Sequence, residues 1–320
     1  MGPVINDPPH FQPPDRGAAD AGSWPSWAVA LLRIFSLVRY RFFLFAGLLP
    51  YLLGAAWGFG MEGIFRPGVF WAGFFGIFLS VVGVEAFNEY FDSRLGTDRV
   101  FNPNDEPPIS DGVLWLGLAA FAGAAVTGIL LAREAGWPVL LYAGLGGLAA
   151  AFYVGPPIRW VYRGLGEIMI ALSYGPWMTL GSLHLQTQRF SWGGLLASMV
   201  PACLIAALAV VNEIPDFHQD RLVGKRNLVV RFGRRVGVRI YLGLAAAGLA
   251  IPAAGALLGL FPWTALGTLA AVPLLVKSGR AAAGTYETPL EFVPAVRSIV
   301  LCYVVGTVLF SLALAFEGLR

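Results

Sequence analysis

The chain has 320 residues, of which 57% are hydrophobic and only 13% charged, with a formal net charge of +3. An ordinary soluble protein is about 25% charged, so this composition cannot cover a water-facing surface, and it specifies an integral membrane protein. Abundant Phe (23) and Gly (40) favour apolar helices over the alternating strands of a barrel, and disorder, a disulfide framework and a nucleic-acid-binding domain are excluded.

Residues 1–34 are rich in Pro, Asp and Gly and lack a basic-then-apolar leader pattern. They read as a flexible cytoplasmic tail, with a short interfacial helix around Trp24 to Phe35. Residues 35–320 form the membrane domain. Nine apolar stretches in it are long enough to cross about 30 Å of hydrocarbon: 42–60, 68–88, 113–132, 137–154, 166–185, 193–212, 238–258, 262–277 and 293–315. The fourth and eighth are short, and the seventh and eighth are joined by a tight turn at Leu260-Phe261-Pro262. The expected fold is therefore an all-α, polytopic membrane bundle of nine transmembrane helices. Cys203 and Cys302 sit inside apolar runs with no His or Cys at metal-ligand spacing, so they read as small packing residues. The glycine runs lie mid-span and serve close helix packing.

Basic residues orient the bundle. The tail and the 2–3, 4–5, 6–7 and 8–9 loops carry 18 of the 22 Lys and Arg, seven of them between Arg221 and Arg239. The other side has only Arg66, Arg133, Arg189 and Arg320. The N-terminus is thus expected in the cytoplasm.

The acids gather on that same side. Glu85, Glu89, Asp92, Asp98, Asp105, Glu106 and Asp111 lie in or beside the 2–3 loop, and Glu213, Asp216 and Asp220 in the 6–7 loop. Within them lies an internal repeat. Span two ends in Asn88-Glu89-Tyr90-Phe91-Asp92 with Asp98 beyond, and span six ends in Asn212-Glu213-Ile214-Pro215-Asp216 with Asp220 beyond. Both read Asn-Glu-x-x-Asp at the end of the second span of a four-span unit, giving two four-helix pseudo-repeats plus a ninth helix.

Helical spacing puts Asn88 and Asp92 on one face. Asn212, Asp216 and Asp220 align likewise if their helix continues past Pro215. Two facing rows of oxygen ligands suit hard divalent cations, and Mg²⁺ in particular keeps waters and takes phosphate oxygens. Simple helix capping is the bland alternative, but acids at helix C-termini oppose the dipole, and two copies in equivalent positions argue against it. Arg221 through Lys225-Arg226 follow the second row directly. Cations beside a carboxylate cluster suit a polyanionic ligand, whereas Arg234, Arg235 and Arg239 read as membrane anchoring.

From Leu37 onward these residues resemble the UbiA superfamily of intramembrane prenyltransferases. The first motif is similar to the family's Asn-Asp-x-x-Asp pattern. Asp216-Phe217-His218-Gln219-Asp220-Arg221 with Gly224-Lys225-Arg226 is similar to its second. The stretch Tyr153 to Glu167 matches a third segment, and Asn227 to Gly233 continues in the manner of the MenA-like branch, which prenylates 1,4-dihydroxy-2-naphthoate. Two departures stand out: Glu follows Asn in both motifs where Asp is usual, and the loop Val100–Pro108 lacks the family's basic residues.

The resemblance implies Mg²⁺-dependent transfer from a prenyl diphosphate to an aromatic, quinone-precursor acceptor at the cytoplasmic side of a bacterial or archaeal membrane. Asp92, Asp98, Asp216 and Asp220 would hold the metal, with Asp92, Asp216 and Lys225 catalytic. Asn88, Asn212, Arg39, Arg163, Arg221, Arg226 and Tyr153 would bind substrate, and Glu167 or Asp92 would take the acceptor's proton. His184 and His218 read as bystanders. Phosphoribosyl, glycerophosphate, haem and chlorophyll-type acceptors remain open as alternatives. So does a transporter or lipid-binding protein, although acids clustered at one face instead of mid-span argue against transport.

Overall fold

The computed structural model describes residues 41–95 and 110–320, and of residues 41–46, Asp92 and Leu95 the backbone only. The expected tail and interfacial helix, Arg39, Asp98 and the loop 96–109 lie outside the described residues. Among the described residues the chain is all-helical.

Among the described residues, nine helical rods overlap the nine apolar stretches. They comprise α1 (Arg41–Glu62), α2 (Pro67–Leu95), α3 (Asp111–Ala135), α4 (Pro138–Ala151), then α5 (Trp160–Arg163) as a short connector. The fifth rod is built of α6 (Gly166–Leu172), a π turn at Ser173–Trp177 and α7 (Met178–Thr187). α8 (Trp192–Glu213) follows, then the connectors α9 (Phe217–Leu222) and α10 (Leu228–Phe232), and α11 (Arg234–Leu257). The eighth rod opens as a 3-10 helix, Trp263–Ala271, and continues as α12 (Val272–Thr285); α13 (Pro289–Glu317) closes the bundle.

Local chemistry explains the boundaries. α4 and α13 start with Pro in their first turn, where its missing N–H is not needed. Pro176 falls inside the fifth rod; it removes an amide and crowds the preceding turn, and the helix widens there into the π turn. α2 runs seven residues past the expected end of its span, so Asn88 through Asp92 stay helical. α8 does the opposite. It stops at Glu213, and Ile214–Asp216 form a turn before α9. Ile214 still has helical dihedrals (φ −65°, ψ −51°), but Pro215 has no N–H to continue the ladder, so the expected alignment of Asn212, Asp216 and Asp220 on one continuous helix is corrected to a helix end plus a turn.

In each half the second rod packs extensively on the third, α2 on α3 and α8 on α11, while α1 packs on α7 and α13. Lipid is as apolar as Leu, so close side-chain packing holds these pairs together. At Gly54 an added Cβ would strike the carbonyl oxygen of Thr179, which is why α1 needs glycine against α7. Leu204, Leu208 and Val211 of α8 pack with Tyr241 and Leu249 of α11 and with Tyr303 and Phe310 of α13 in one buried core. Among the described residues, α3, α8, α11, α13 and the stretch Pro67–Phe91 of α2 are long and apolar enough to cross a membrane.

Candidate active site

The ends of α2 and α8, which carry the two repeated motifs, open onto a single cavity of about 760 Å³. Its polar end is lined by Asn88 and Glu89 of α2, Asn212 and Glu213 of α8, and Asp216, Asp220, Lys225 and Asn227 beyond α8. Away from that end the walls become apolar, with Ile77, Leu131, Val139 and Leu185. Tyr51 lies at the far end and is 1% exposed. Its hydroxyl donates to the Phe70 carbonyl at 2.7 Å, and Ser182 Oγ donates to the Tyr51 carbonyl at 2.6 Å. That end is therefore a fixed floor. Tyr153 and Tyr174 line the wall between the two regions.

The second motif is built by a tight chain reversal. Asp220 N–H bonds the Asp216 carbonyl at 2.8 Å, and the chain turns back at Gly224, whose φ is +81°. Only glycine adopts that conformation without a Cβ clash. The reversal lets the Lys225 amide bond the Asp220 carbonyl at 2.9 Å. It also brings Lys225 Nζ to 3.2 Å from Asp220 Oδ1. Asn227 Nδ2 donates to the other carboxylate oxygen at 2.7 Å. The Asp-Arg-x-x-Gly-Lys spacing thus has a geometric reason: the glycine folds the lysine onto the aspartate.

Asp216 sits at the open rim. The surrounding protein mass, and then the charge of Asp220, push its pKa up to about 6 against the Lys225 ammonium. Glu167 is 4% exposed and accepts the Leu228 N–H at 2.5 Å. It is absent from the cavity wall, so it anchors the 225–228 loop and is not placed to take a proton from an acceptor.

The oxygen groups fit a hard cation. Asn88 Oδ1 is buried with no hydrogen-bond partner among the described residues, and its side chain lines the polar end. Buried oxygens are rarely left unpaired without cause, and a divalent cation with its waters supplies one. Among the described residues no group of three or more Asp, Glu, His or Cys side chains is arranged to hold a metal ion; Asp98 and the Asp92 carboxylate lie outside them.

Of the expected site residues, Asn88, Tyr153, Asn212, Asp216, Asp220 and Lys225 meet at this cavity. Arg163, Arg221 and Arg226 do not. All three are exposed; Arg163 Nε donates to the Ile158 carbonyl at 2.6 Å, and the Arg226 amide to the Val161 carbonyl at 3.2 Å. His218 is exposed beside the Phe217 ring, and His184 is buried against the Ala135 carbonyl. Glu85 of α2 and Tyr174 also line the cavity. The signal for Tyr174 was Pro176 two residues later, which breaks the helix where the tyrosine turns inward. Asn227 carried a capping signal, a lone Asn before the apolar run Leu228-Val229-Val230.

The model of the "UbiA prenyltransferase family" matches residues 47–300. A 1,4-dihydroxy-2-naphthoate octaprenyltransferase of Mycobacterium tuberculosis is 29% identical over 75% of this chain and 82% of its own. A 2-carboxy-1,4-naphthoquinone phytyltransferase of Synechocystis is 26% identical over 75% of this chain and 79% of its own. The solved structure of a UbiA homologue from Archaeoglobus fulgidus, bound to DMAPP and Mg²⁺, superposes with a TM-score of 0.57 at 16% identity, covering 85% of this chain and 98% of that one. With matching motifs, an all-helical bundle of the same fold and a family match over most of its length, the chain belongs to the UbiA prenyltransferase family.

Proposed function

We propose that this protein transfers a prenyl group from a prenyl diphosphate to an aromatic quinone precursor of the 1,4-dihydroxy-2-naphthoate type, with Mg²⁺ as cofactor. The observation that carries this reading is the polarity of one cavity: oxygen ligands and Lys225 at one end, an apolar chamber behind them. A diphosphate with an isoprenoid tail has that same polarity. The 1,4-dihydroxy-2-naphthoate named for the mycobacterial relative and the 2-carboxy-1,4-naphthoquinone named for the cyanobacterial one support the acceptor class.

In this mechanism Asn88, Asp92, Asp98, Asn212, Asp216 and Asp220 would hold Mg²⁺, which would supply positive charge to stabilise a departing diphosphate. Lys225 exchanges part of its contact with Asp220 for a phosphate oxygen as negative charge develops on that group. The bonding electrons leave with the diphosphate, a carbon of the electron-rich ring bonds the allylic carbon, and the ring then gives up a proton to water at the open polar rim. Tyr153 and Tyr174 line the cavity, and their rings would attract an allylic cation. The apolar walls exclude water, which would otherwise capture it.

The topology that accompanies this reading has nine crossings, two four-helix repeats and a ninth helix, with residues 1–34 as a cytoplasmic tail. The site then faces the cytoplasm in a bacterial or archaeal inner membrane. The bias of Lys and Arg to one side supports it.

The test is product identification by mass spectrometry. Purified protein is given geranyl or octaprenyl diphosphate, Mg²⁺ or EDTA, and a panel of naphthoate, hydroxybenzoate and glycerophosphate acceptors. The expected result is a prenylated naphthoate formed only with Mg²⁺. A glycerophosphate or hydroxybenzoate product would refute the acceptor assignment, and no product with any acceptor would refute the reading as a whole.

A further inference from the structure

We propose that Asn227 is a positioning residue that fixes the Asp220 carboxylate for the cation, an inference that rests on the metal-dependent reading above. Asn227 is 1% exposed, and its two amide atoms hold different partners. Oδ1 accepts the Val230 N–H at 2.8 Å and so caps α10. Nδ2 donates to Asp220 Oδ2 at 2.7 Å.

The first bond dictates the second. A backbone N–H is satisfied only by an acceptor, so the amide oxygen faces Val230 and the amide nitrogen must face Asp220. Turning the amide over would set N–H against N–H and oxygen against carboxylate oxygen, two repulsive pairings in a buried place. The backbone around it is held as well. Arg231 N–H donates to the Asn227 carbonyl at 3.1 Å, and Leu228 N–H to Glu167.

Asp220 therefore has one oxygen pinned by a buried neutral donor. Its other oxygen, Oδ1, faces Lys225, and both residues line the cavity. A neutral donor orients the carboxylate without cancelling its charge, which stays available to a cation. Losing an outer-shell partner of this kind typically costs about 10- to 100-fold in metal affinity.

The cap and the donation can be separated. Ser and Thr also cap helices, but a hydroxyl held at the cap is too short to reach Asp220. The test is Mn²⁺ binding with inorganic diphosphate, read as loss of the free-Mn²⁺ electron paramagnetic resonance signal. It is measured beside thermal unfolding for the wild type, N227S and N227T in detergent. The expected result is roughly 10-fold or weaker Mn²⁺ binding in both variants with an unfolding temperature close to wild type. Wild-type affinity in both variants would overturn the positioning role. So would a loss that disappears when the variants are compared at equal distance below their own unfolding temperatures. Failure of the wild type to bind Mn²⁺ with diphosphate is a separate outcome, which overturns the metal site itself and this inference with it.

Discussion

Replacing Lys225 with Met removes an ammonium from both of its partners. Without ligand, Nζ lies 3.2 Å from Asp220 Oδ1, and the two side chains are 14% and 7% exposed. Breaking a fully buried pair costs about 3–5 kcal/mol, but Asp220 keeps the Asn227 donor and the polar rim of the cavity, where Asp216 is exposed, admits water. About 1–3 kcal/mol is therefore expected for the stranded carboxylate, seen as a lower unfolding temperature of the metal-free protein. With substrate, a charge-assisted bond to a phosphate oxygen is worth about 1.5–3 kcal/mol. At about 1.4 kcal/mol per decade that is a fall of roughly 10- to 150-fold in kcat/KM. The ammonium also competes with a cation for Asp220, so Mn²⁺ alone should bind Lys225→Met no more weakly than wild type. The assay is diphosphate release at saturating Mg²⁺, on protein with a wild-type helical spectrum. Unchanged kcat/KM would refute the placement of Lys225 on the diphosphate.

Asp92→Ala and Asp216→Ala should each lower Mg²⁺-dependent transfer at least about 100-fold, the scale of losing electrostatic stabilisation of a leaving group, while membrane insertion is unchanged; full activity in either sinks the two-motif site. An added Cβ at Gly147 meets open space, and the residue lines the cavity, so Gly147→Phe should fold and shift donor preference toward shorter prenyl diphosphates. An unchanged length profile would argue that the tail lies elsewhere. Gly224→Ala forces a Cβ into a φ of +81° at about 1–2 kcal/mol and displaces Lys225, so both unfolding temperature and kcat/KM should fall; wild-type values refute the reversal argument.

The pH dependence follows from Asp216, whose pKa stands at about 6 against the usual 3.8. Between those values the folded state binds the proton more than the unfolded state does, so this group's contribution to stability falls as pH rises and levels off above about 6. The measurement is unfolding in EDTA from pH 4 to 8, taken as the difference between wild type and Asp216→Asn. A difference that rises over that interval refutes the assignment.

Much of this site was legible in the sequence because its signals are local. Asn88 and Asp92 share a helix face by spacing alone, and the repeat at Asn212 and Asp216 marked the partner row. What escaped depended on which way a side chain turns. Asp220 of α9 is 5% exposed, so Arg221, about 100° around the helix, points outward, and adjacency to the motif did not disclose that. Lys225 and Arg226 diverge for a similar reason in an extended loop. Pro215 announced a break after α8, yet the turn that follows still delivers Asp216 and Asp220 to the cavity. Glu167 was expected, with Asp92, as a candidate to take the acceptor's proton, but only the fold pairs it with the Leu228 amide 61 residues away. The eighth rod had misplaced limits because it begins as 3-10 helix and continues past Lys277 to Thr285, where apolar content no longer marks it.

In the proposed mechanism the two carboxylate rows and Lys225 form one Mg²⁺-dependent diphosphate site. Its most direct measurement is release of inorganic diphosphate from a prenyl diphosphate with a naphthoate acceptor, titrated with Mg²⁺, for the wild type and Asp216→Ala side by side. The account predicts saturable, Mg²⁺-dependent release coupled one to one with prenylated product in the wild type, and loss of both in the variant. Release that persists in EDTA, or in Asp216→Ala, would contradict it.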